Sequence, residues 1–390
     1  MTQEILSSKW NYPTTIHFGN GKIKILSDLC KKSNIRSPLI VTDKNLSNTP
    51  IVQTVLNELK NNQLKVNIFD NIQSNPVEKN ISDGVTYYQN HHHDGVIALG
   101  GGSALDSGKA IAFMVGQSRP LWDFEDIGDF WQRANDQKIA PVIAIPTTAG
   151  TGSEVGRASV ITDEKIHTKK IIFHPKMMPV AVICDPELTI KLPDFVTAAT
   201  GMDALAHCLE AYCAPGFHPM ADGIAVEGIR LVKENLMLAV KEGHNLKARA
   251  CMMAAASMGA TAFQKGLGAI HALSHPIGAI YNTHHGLTNA VVMPYVLQFN
   301  KPAIEEKMIR LSGWLLFPTP SFQSIMDWIL KLRKDINIPH TLKELGIEES
   351  KLDELAQMAE TDPTAGGNPI PIKTKELKQM LVNAWHGNLN

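Results

Sequence analysis

Asp203 and His207 stand four residues apart in Gly201-Met202-Asp203-Ala204-Leu205-Ala206-His207, a run of good helix formers. At that spacing a carboxylate and an imidazole project from one helical face, which is half of a metal site. His271 and His275 repeat the spacing in His271-Ala272-Leu273-Ser274-His275; Pro276 and Gly278 then interrupt the pattern before His284-His285-Gly286. Four nitrogen and oxygen donors can therefore converge from three short segments. One carboxylate with neutral imidazoles and no thiolate suits a divalent first-row ion, Fe2+ or Zn2+, and the lack of thiolates marks the set as catalytic rather than structural. The alternative is a solvated helix pair, and the flanking residues speak against it. Ala204, Leu205, Ala206, Cys208 and Leu209 surround the first pair, and Ala269, Ile270, Ala272 and Leu273 the second. An unpaired carboxylate buried among them would cost several kcal/mol, which a bound cation offsets.

A second chemistry lies earlier in the chain. The strand-like run Val96 to Leu99 leads straight into Gly100-Gly101-Gly102-Ser103-Ala104-Leu105-Asp106-Ser107-Gly108-Lys109, which turns helical. Glycines at such a junction let backbone amides approach a diphosphate at the positive end of a helix. The loop is not a Walker A motif, because Ser103 stands where its first glycine belongs and Ala110 follows Lys109 in place of Ser or Thr. Nor does it have the usual dinucleotide spacing G-x-G-x-x-G. A second polar loop, Pro146-Thr147-Thr148-Ala149-Gly150-Thr151-Gly152-Ser153-Glu154, follows another strand. Hydroxyls and exposed amides at two strand ends fit the crevice where parallel sheets bind nucleotides. Thr42-Asp43 closes the first strand, and a carboxylate there accepts hydrogen bonds from a ribose and repels a 2′-phosphate, favouring NAD over NADP. That acid normally follows the glycine loop; here it precedes it, so the topology must differ.

Two textures must position these residues. Up to about residue 190, short apolar runs at 38–42, 65–69, 95–99, 141–145 and 180–184 read as strands, with helices at about 49–62, 77–90 and 103–115 between them. That alternation predicts a Rossmann-like α/β domain with a parallel sheet covered on both faces. Residues 194–390 carry helical periodicity with few β-branched runs, broken at Pro215, Pro219, Gly243, Pro276, Pro294, Pro318, Pro320 and Pro339. The expected organisation is a nucleotide domain over 1–190 and an all-helical metal and substrate domain over 191–390, with a ligand of both in the cleft between them.

Composition narrows the class. The chain has 390 residues, 44% of them hydrophobic, with 37 Lys and Arg against 38 Asp and Glu. That is enough for two cores, and it leaves no charge footprint for nucleic acid or an anionic membrane, so the substrate is expected to be small. The start of the chain has no apolar signal core, and the longest apolar run, from Ala250 to Phe263, is too short to span a bilayer. Five cysteines without paired spacing fit reduced thiols and a cytoplasmic location. The run His91-His92-His93, beside Asp94-Gly95, reads as a solvated turn.

Taken together these motifs resemble the iron-containing (group III) alcohol dehydrogenase family. The resemblance rests on the glycine loop 100–109, the loop 146–154, the segment 201–207, His271 to Pro276, His285-Gly286-Leu287-x-Asn289, and Gly366-Gly367-Asn368-Pro369, and it covers nearly the whole chain. It implies metal ligation by Asp203, His207, His271 and His285, with iron the metal, and an active-site or supporting role for His275, here the candidate for the proton path. It places Asn75, Thr147, Thr148, Thr151 and Lys169 near NAD, alongside Asp43, Gly100, Gly101, Gly102, Ser103 and Asp106 of the loops. The implied activity is hydride transfer between nicotinamide and a small primary alcohol or aldehyde in a homodimer or larger homo-oligomer. Two other readings stand behind it: a metal-dependent hydrolase or lyase, and a sugar-phosphate cyclase of the same superfamily. A cyclase would gather Lys and Arg around its phosphate, and the sequence near Asp203 and His271 supplies none.

Overall fold

The computed structural model describes residues 14–166 and 168–389. The chain divides into two compact units, one formed by Tyr12–Lys191 and the other containing Leu192 onward.

The first unit is built on a six-stranded sheet, β1 (Ile16–Phe18), β2 (Pro38–Val41), β3 (Asn67–Phe69), β4 (Gly95–Gly100), β5 (Val142–Pro146) and β8 (Ala181–Cys184). Its spatial order is β1-β8-β5-β4-β2-β3, and every pairing is parallel. Every residue of β2, β4, β5 and β8 is buried, which explains their near-continuous apolar sequences: a strand covered on both faces has no polar side to show. Helices α1 (Leu26–Lys32), α2 (Lys44–Ser47), α3 (Pro50–Asn61), α4 (Glu78–Asn90) and α5 (Gly102–Met114) alternate with the strands. From β2 the chain moves outward to β3, then returns to place β4 on the other side of β2. The strand order thus reverses between β2 and β4, the point where open parallel sheets bind ligands beyond their strand ends. Asp43 follows β2 and the glycine loop follows β4, so both stand at this reversal. Gly100 pairs with Pro146 across β4 and β5, which brings the second polar loop alongside the first.

Three features of this unit differ from the sequence expectation. Strand β1 is three residues long and only partly buried, too short to give a period. An antiparallel hairpin, β6 (Ala158–Asp163) and β7 (Thr168–Phe173), was not foreseen; β7 reads Thr-Lys-Lys-Ile-Ile-Phe and only one of its residues is buried, so its polar composition hides it. His93 is the third. The chain does turn at 91–94, but His93 is buried, with Nδ1 2.9 Å from the Ser37 carbonyl oxygen. Burial, the main cause, holds its pKa below the ordinary histidine value.

The second unit is helical, with no strand among its described residues. Its helices are α6 (Asp194–Cys213), α7 (Pro219–Lys241), α8 (Leu246–Ala262), α9 (Ala269–Tyr281), α10 (His285–Trp314), α11 (Phe322–Asp335), α12 (Leu352–Glu360) and α13 (Thr374–His386). Helix α6 is the central one: it packs against α7, α8 and α10 and is buried continuously from Thr197 to Cys213, which is why its sequence is apolar on all sides. Lys307 Nζ closes its C-terminal end, donating to the carbonyls of Tyr212, Cys213 and Ala214 at 3.0, 3.3 and 3.2 Å. Pro276 and Pro294 do not break the chain as expected but lie inside α9 and α10. Each removes one backbone donor, and the buried packing of both helices outweighs that loss. Helix α9 ends instead at Asn282, whose left-handed φ of 52° is a natural stop.

Candidate active site

In the helical unit, Asp203 and His207 project from α6 and His271 from the first turn of α9. Ligand atoms of these three lie within 4.8 Å of one another, and all three residues are buried. The His207 and His271 rings stack at a centroid distance of 4.6 Å. His285, the first residue of α10, brings Nε2 to 3.7 Å from Asp203 Oδ1 and its ring to 5.2 Å from that of His271. Gly286 makes this possible: a Cβ there would sit 2.3 Å from the Ala199 carbonyl oxygen and 2.9 Å from Asp203 Cβ. Only a residue without a side chain lets α10 approach α6 so closely at the site. His284 precedes the helix, and its carbonyl accepts from Thr288 N at 3.0 Å.

The hydrogen bonds fix how the imidazoles face. Glu210 accepts from His271 Nδ1 and, at 2.7 Å, from Ile270 N, so His271 turns its Nε2 toward Asp203. Ser274 Oγ donates to the His271 carbonyl at 3.2 Å and lies 3.4 Å from His285 Nδ1. His285 turns its other nitrogen, Nε2, toward Asp203 and Asn289. These atoms meet at Asn289 Nδ2, which is 2.8 Å from Asp203 Oδ1, 3.3 Å from His271 Nε2 and 3.2 Å from His285 Nε2. One amide NH2 has two protons for these three acceptors, and Asn289 Oδ1 is buried with no hydrogen-bond partner.

Charge tells the same story. Burial works against the imidazolium of His271, but the carboxylates of Glu210, Asp203 and Asp362 outweigh it and hold its pKa above the ordinary value. The pocket asks for positive charge. Burial pushes the thiols of Cys208 and Cys213 up to about 12, so no thiolate competes. A largely buried, thiolate-free set of one carboxylate and three imidazoles, with His285 half-buried at its edge, fits a divalent first-row cation.

His275 lies beside this set rather than in it. Its ring stacks on His285 at 5.3 Å and stands edge-on to His271 at 5.9 Å, while its Nδ1 is 2.8 Å from Asp362 Oδ2. Burial raises the Asp362 carboxyl, yet His275 and the hydrogen bonds from Thr364 more than reverse this and leave it below the usual carboxylate range.

In the first unit Asp43 and the glycine loop stand at the sheet reversal. Asp43 Oδ1 accepts from Asn45 N and Leu46 N at 2.9 and 3.1 Å, capping α2. Its other oxygen faces the glycine loop: a Cβ on Gly100 would lie 3.8 Å from Asp43 Oδ2. Gly100 has a φ of 146°, which a side chain resists. Thr148 and Thr151 pack over the next two glycines, so that a Cβ on Gly101 would be 3.4 Å from Thr148 Cγ2 and one on Gly102 only 2.6 Å from Thr151 Cγ2. Thr147 N donates to the Gly100 carbonyl at 3.0 Å, and Ser103 Oγ donates to the Ser74 carbonyl, next to Asn75. Lys169, on β7, pairs with Thr162, which in turn bridges Val77. Asp106 faces inward. Its carboxylate accepts from Ser153 Oγ and Val160 N and pairs with Lys109 at 3.2 Å, so it ties α5 to the second loop and the hairpin.

The sequence reading did not single out Glu210, Asn289, Asp362 or Asn368 as site residues. Glu210 carried a signal: with Asp203 and His207 it completes an i, i+4, i+7 stripe on α6. Asn289 and Asn368 lay inside motifs that carry the family resemblance, while Asp362 comes from a remote segment and left none.

Both halves of the chain match known models. The model described as "Iron-containing alcohol dehydrogenase" matches residues 13–186, and "Fe-containing alcohol dehydrogenase family, C-terminal" matches residues 197–385. The chain belongs to the iron-containing alcohol dehydrogenase family. It is 37% identical to 4-hydroxybutyrate dehydrogenase of Cupriavidus necator over 95% of this chain and 98% of that protein. The structure of a 1,3-propanediol oxidoreductase superposes with a TM-score of 0.92 at 33% identity, covering 97% of this chain and 100% of that one. That of sulfoacetaldehyde reductase from Bifidobacterium kashiwanohense, in complex with NAD+, gives 0.87 at 30% identity, covering 97% and 99%. The protein is an NAD(H)-linked alcohol dehydrogenase.

Proposed function

We propose that Asp203, His207, His271 and His285 hold Fe2+, and that the enzyme interconverts a small primary alcohol and its aldehyde. The observation that carries the ligand set is the gathering of ligand atoms of Asp203, His207 and His271 within 4.8 Å of one another, with His285 Nε2 3.7 Å from Asp203 Oδ1. When bound, the metal supplies Lewis acidity at the substrate oxygen and the nicotinamide carries the hydride. The protein's own residues do the rest. Asp203 brings one negative charge into an apolar site, and Glu210 and Ser274 hold two imidazoles with their Nε2 atoms inward. His275, held by Asp362 through Nδ1, takes the hydroxyl proton toward solvent during oxidation and returns it during reduction.

In the nucleotide unit, the amides of Gly100, Gly101, Gly102 and Ser103 receive the diphosphate, and Thr147, Thr148 and Thr151 line it. Asn75 and Lys169 stand near it, Asp43 takes the ribose hydroxyls, and Asp106 supports the loop from behind. The reading extends to a cytoplasmic homo-oligomer, a dimer or larger; all five cysteines are free thiols, as a reducing compartment favours.

The test is NADH oxidation against a panel of aldehydes, including those of 1,3-propanediol and 4-hydroxybutyrate, before and after chelation and after reloading with Fe2+ or Zn2+. Turnover should vanish on chelation, return most fully with Fe2+, and be unaffected at the level of NADH binding. Undiminished aldehyde reduction by metal-free enzyme would overturn the reading.

A further inference from the structure

Helix α9 begins without a cap of its own. Its N-cap residue is Gly268, which has no side chain to offer the first amides. Those amides are served from elsewhere: Ala269 N donates to Asn368 Oδ1 at 3.1 Å, and Ile270 N to Glu210 Oε1 at 2.7 Å. Gly268 leaves room for both acceptors, since a Cβ there would lie 2.9 Å from Asn368 Oδ1 and 3.2 Å from Glu210 Oε1. Glu210 uses its other oxygen, Oε2, on His271 Nδ1. One buried carboxylate therefore spans two successive residues of α9 from the same face of α6 that carries Asp203 and His207.

A buried carboxylate is costly unless each oxygen has a donor, and both oxygens here are committed. Glutamine would fit the space but not the chemistry. With a single acceptor oxygen facing two donors, it must turn its own NH2 either on Ile270 N–H or on His271 Nδ1. The first is a clash of donors. The second forces the proton of His271 onto Nε2, the nitrogen that faces Asp203 and Asn289.

We propose that Glu210 is a positioning residue for the metal: it locks His271 in the Nδ1–H form and fixes the ring so that Nε2 is free to ligate. This inference rests on the metal reading above. Carboxylates behind ligating imidazoles typically change metal affinity by about 10- to 100-fold when removed.

The experiment is a competition titration of chelator-treated enzyme with Zn2+ against a chromophoric chelator, with NADH affinity and melting temperature measured on the same samples. Glu210→Gln should bind Zn2+ about 10- to 100-fold more weakly than wild type, with unchanged NADH affinity. Asn368→Ala removes the neighbouring cap of the same helix without touching His271, and should weaken Zn2+ far less. Wild-type Zn2+ affinity in Glu210→Gln, or an equal loss in Asn368→Ala, would overturn the proposal; the latter would mean that helix capping alone matters. Should Glu210→Gln not fold, Glu210→Asp decides, because the shorter carboxylate cannot reach both donors: weaker Zn2+ binding supports the role and wild-type binding refutes it. If wild-type enzyme itself takes up no Zn2+ or Fe2+, the metal reading falls, and this inference falls with it.

Discussion

The proposed metal centre and the proposed nucleotide loop are made of different material. In the helical unit the proposed site consists of side chains that converge from α6, α9 and α10, with Glu210 behind His271 and Ser274 behind His285. In the nucleotide unit the proposed site consists largely of backbone, with no side chain at Gly100, Gly101 and Gly102 to hold a ligand off. The first kind of site is damaged by changing the type of a residue, the second by adding atoms. Gly286 is the exception that links them, a missing side chain that serves a side-chain site.

Gly286→Ala should have the largest effect of the substitutions that add atoms. Its Cβ would meet a backbone oxygen at 2.3 Å, which cannot move without shifting α6, so a loss of about 3 kcal/mol in stability is expected together with loss of metal. Thermal melting and metal content check this; an unchanged melting temperature would show that α10 can slide without cost. Gly102→Ala comes next. Here the obstacle is Thr151 Cγ2 at 2.6 Å, a side chain that can yield partly, so the KM for NADH should rise about tenfold, roughly 1–2 kcal/mol, with metal content intact. Loss of metal in this variant would contradict the separation of the two sites.

Asp43→Asn keeps an oxygen for the α2 cap but removes the charge that opposes a 2′-phosphate, so the preference for NADH over NADPH should fall by about tenfold. An unchanged ratio of kcat/KM values would place the ribose elsewhere. The smallest effect is expected from Asp362→Asn. The folded-state pKa of Asp362 lies below the usual range. Its contribution to stability is therefore fully present above the unfolded carboxyl value of about 3.9 and lost as pH falls through the folded value. Urea melts from pH 6 down to pH 3 should show a shallower acid decline in the variant, and identical slopes would remove the stabilising role.

Legibility in the sequence follows the same division. The parallel sheet could be read because β2, β4 and β5 are buried on both faces and so are apolar without interruption; β7, half exposed and lysine-bearing, could not. Asp203, His207, His271, His275, His284 and His285 stood out because ionisable residues in or beside apolar helices demand an explanation, and the family resemblance chose four of them as ligands. Asp106 was grouped with the loop it follows, and only its contacts with Ser153 and Val160 show that it faces inward. Asp362 lies 87 residues from His275 in the chain, a pairing that no spacing rule reaches. The prolines misled because tertiary burial, invisible in one segment, carries α9 and α10 through them.

The central claim is that four residues of the helical unit hold the metal and that the nucleotide unit does so in no part. The most direct test is metal bound per chain, measured by mass spectrometry on reloaded wild type and on Asp203→Ala, His207→Ala, His271→Ala, His285→Ala and His275→Ala, with NADH binding followed in parallel. The account predicts one metal in wild type and in His275→Ala, little or none in the other four, and NADH binding throughout. Full metal in any of those four, or its loss in His275→Ala, would contradict the ligand set.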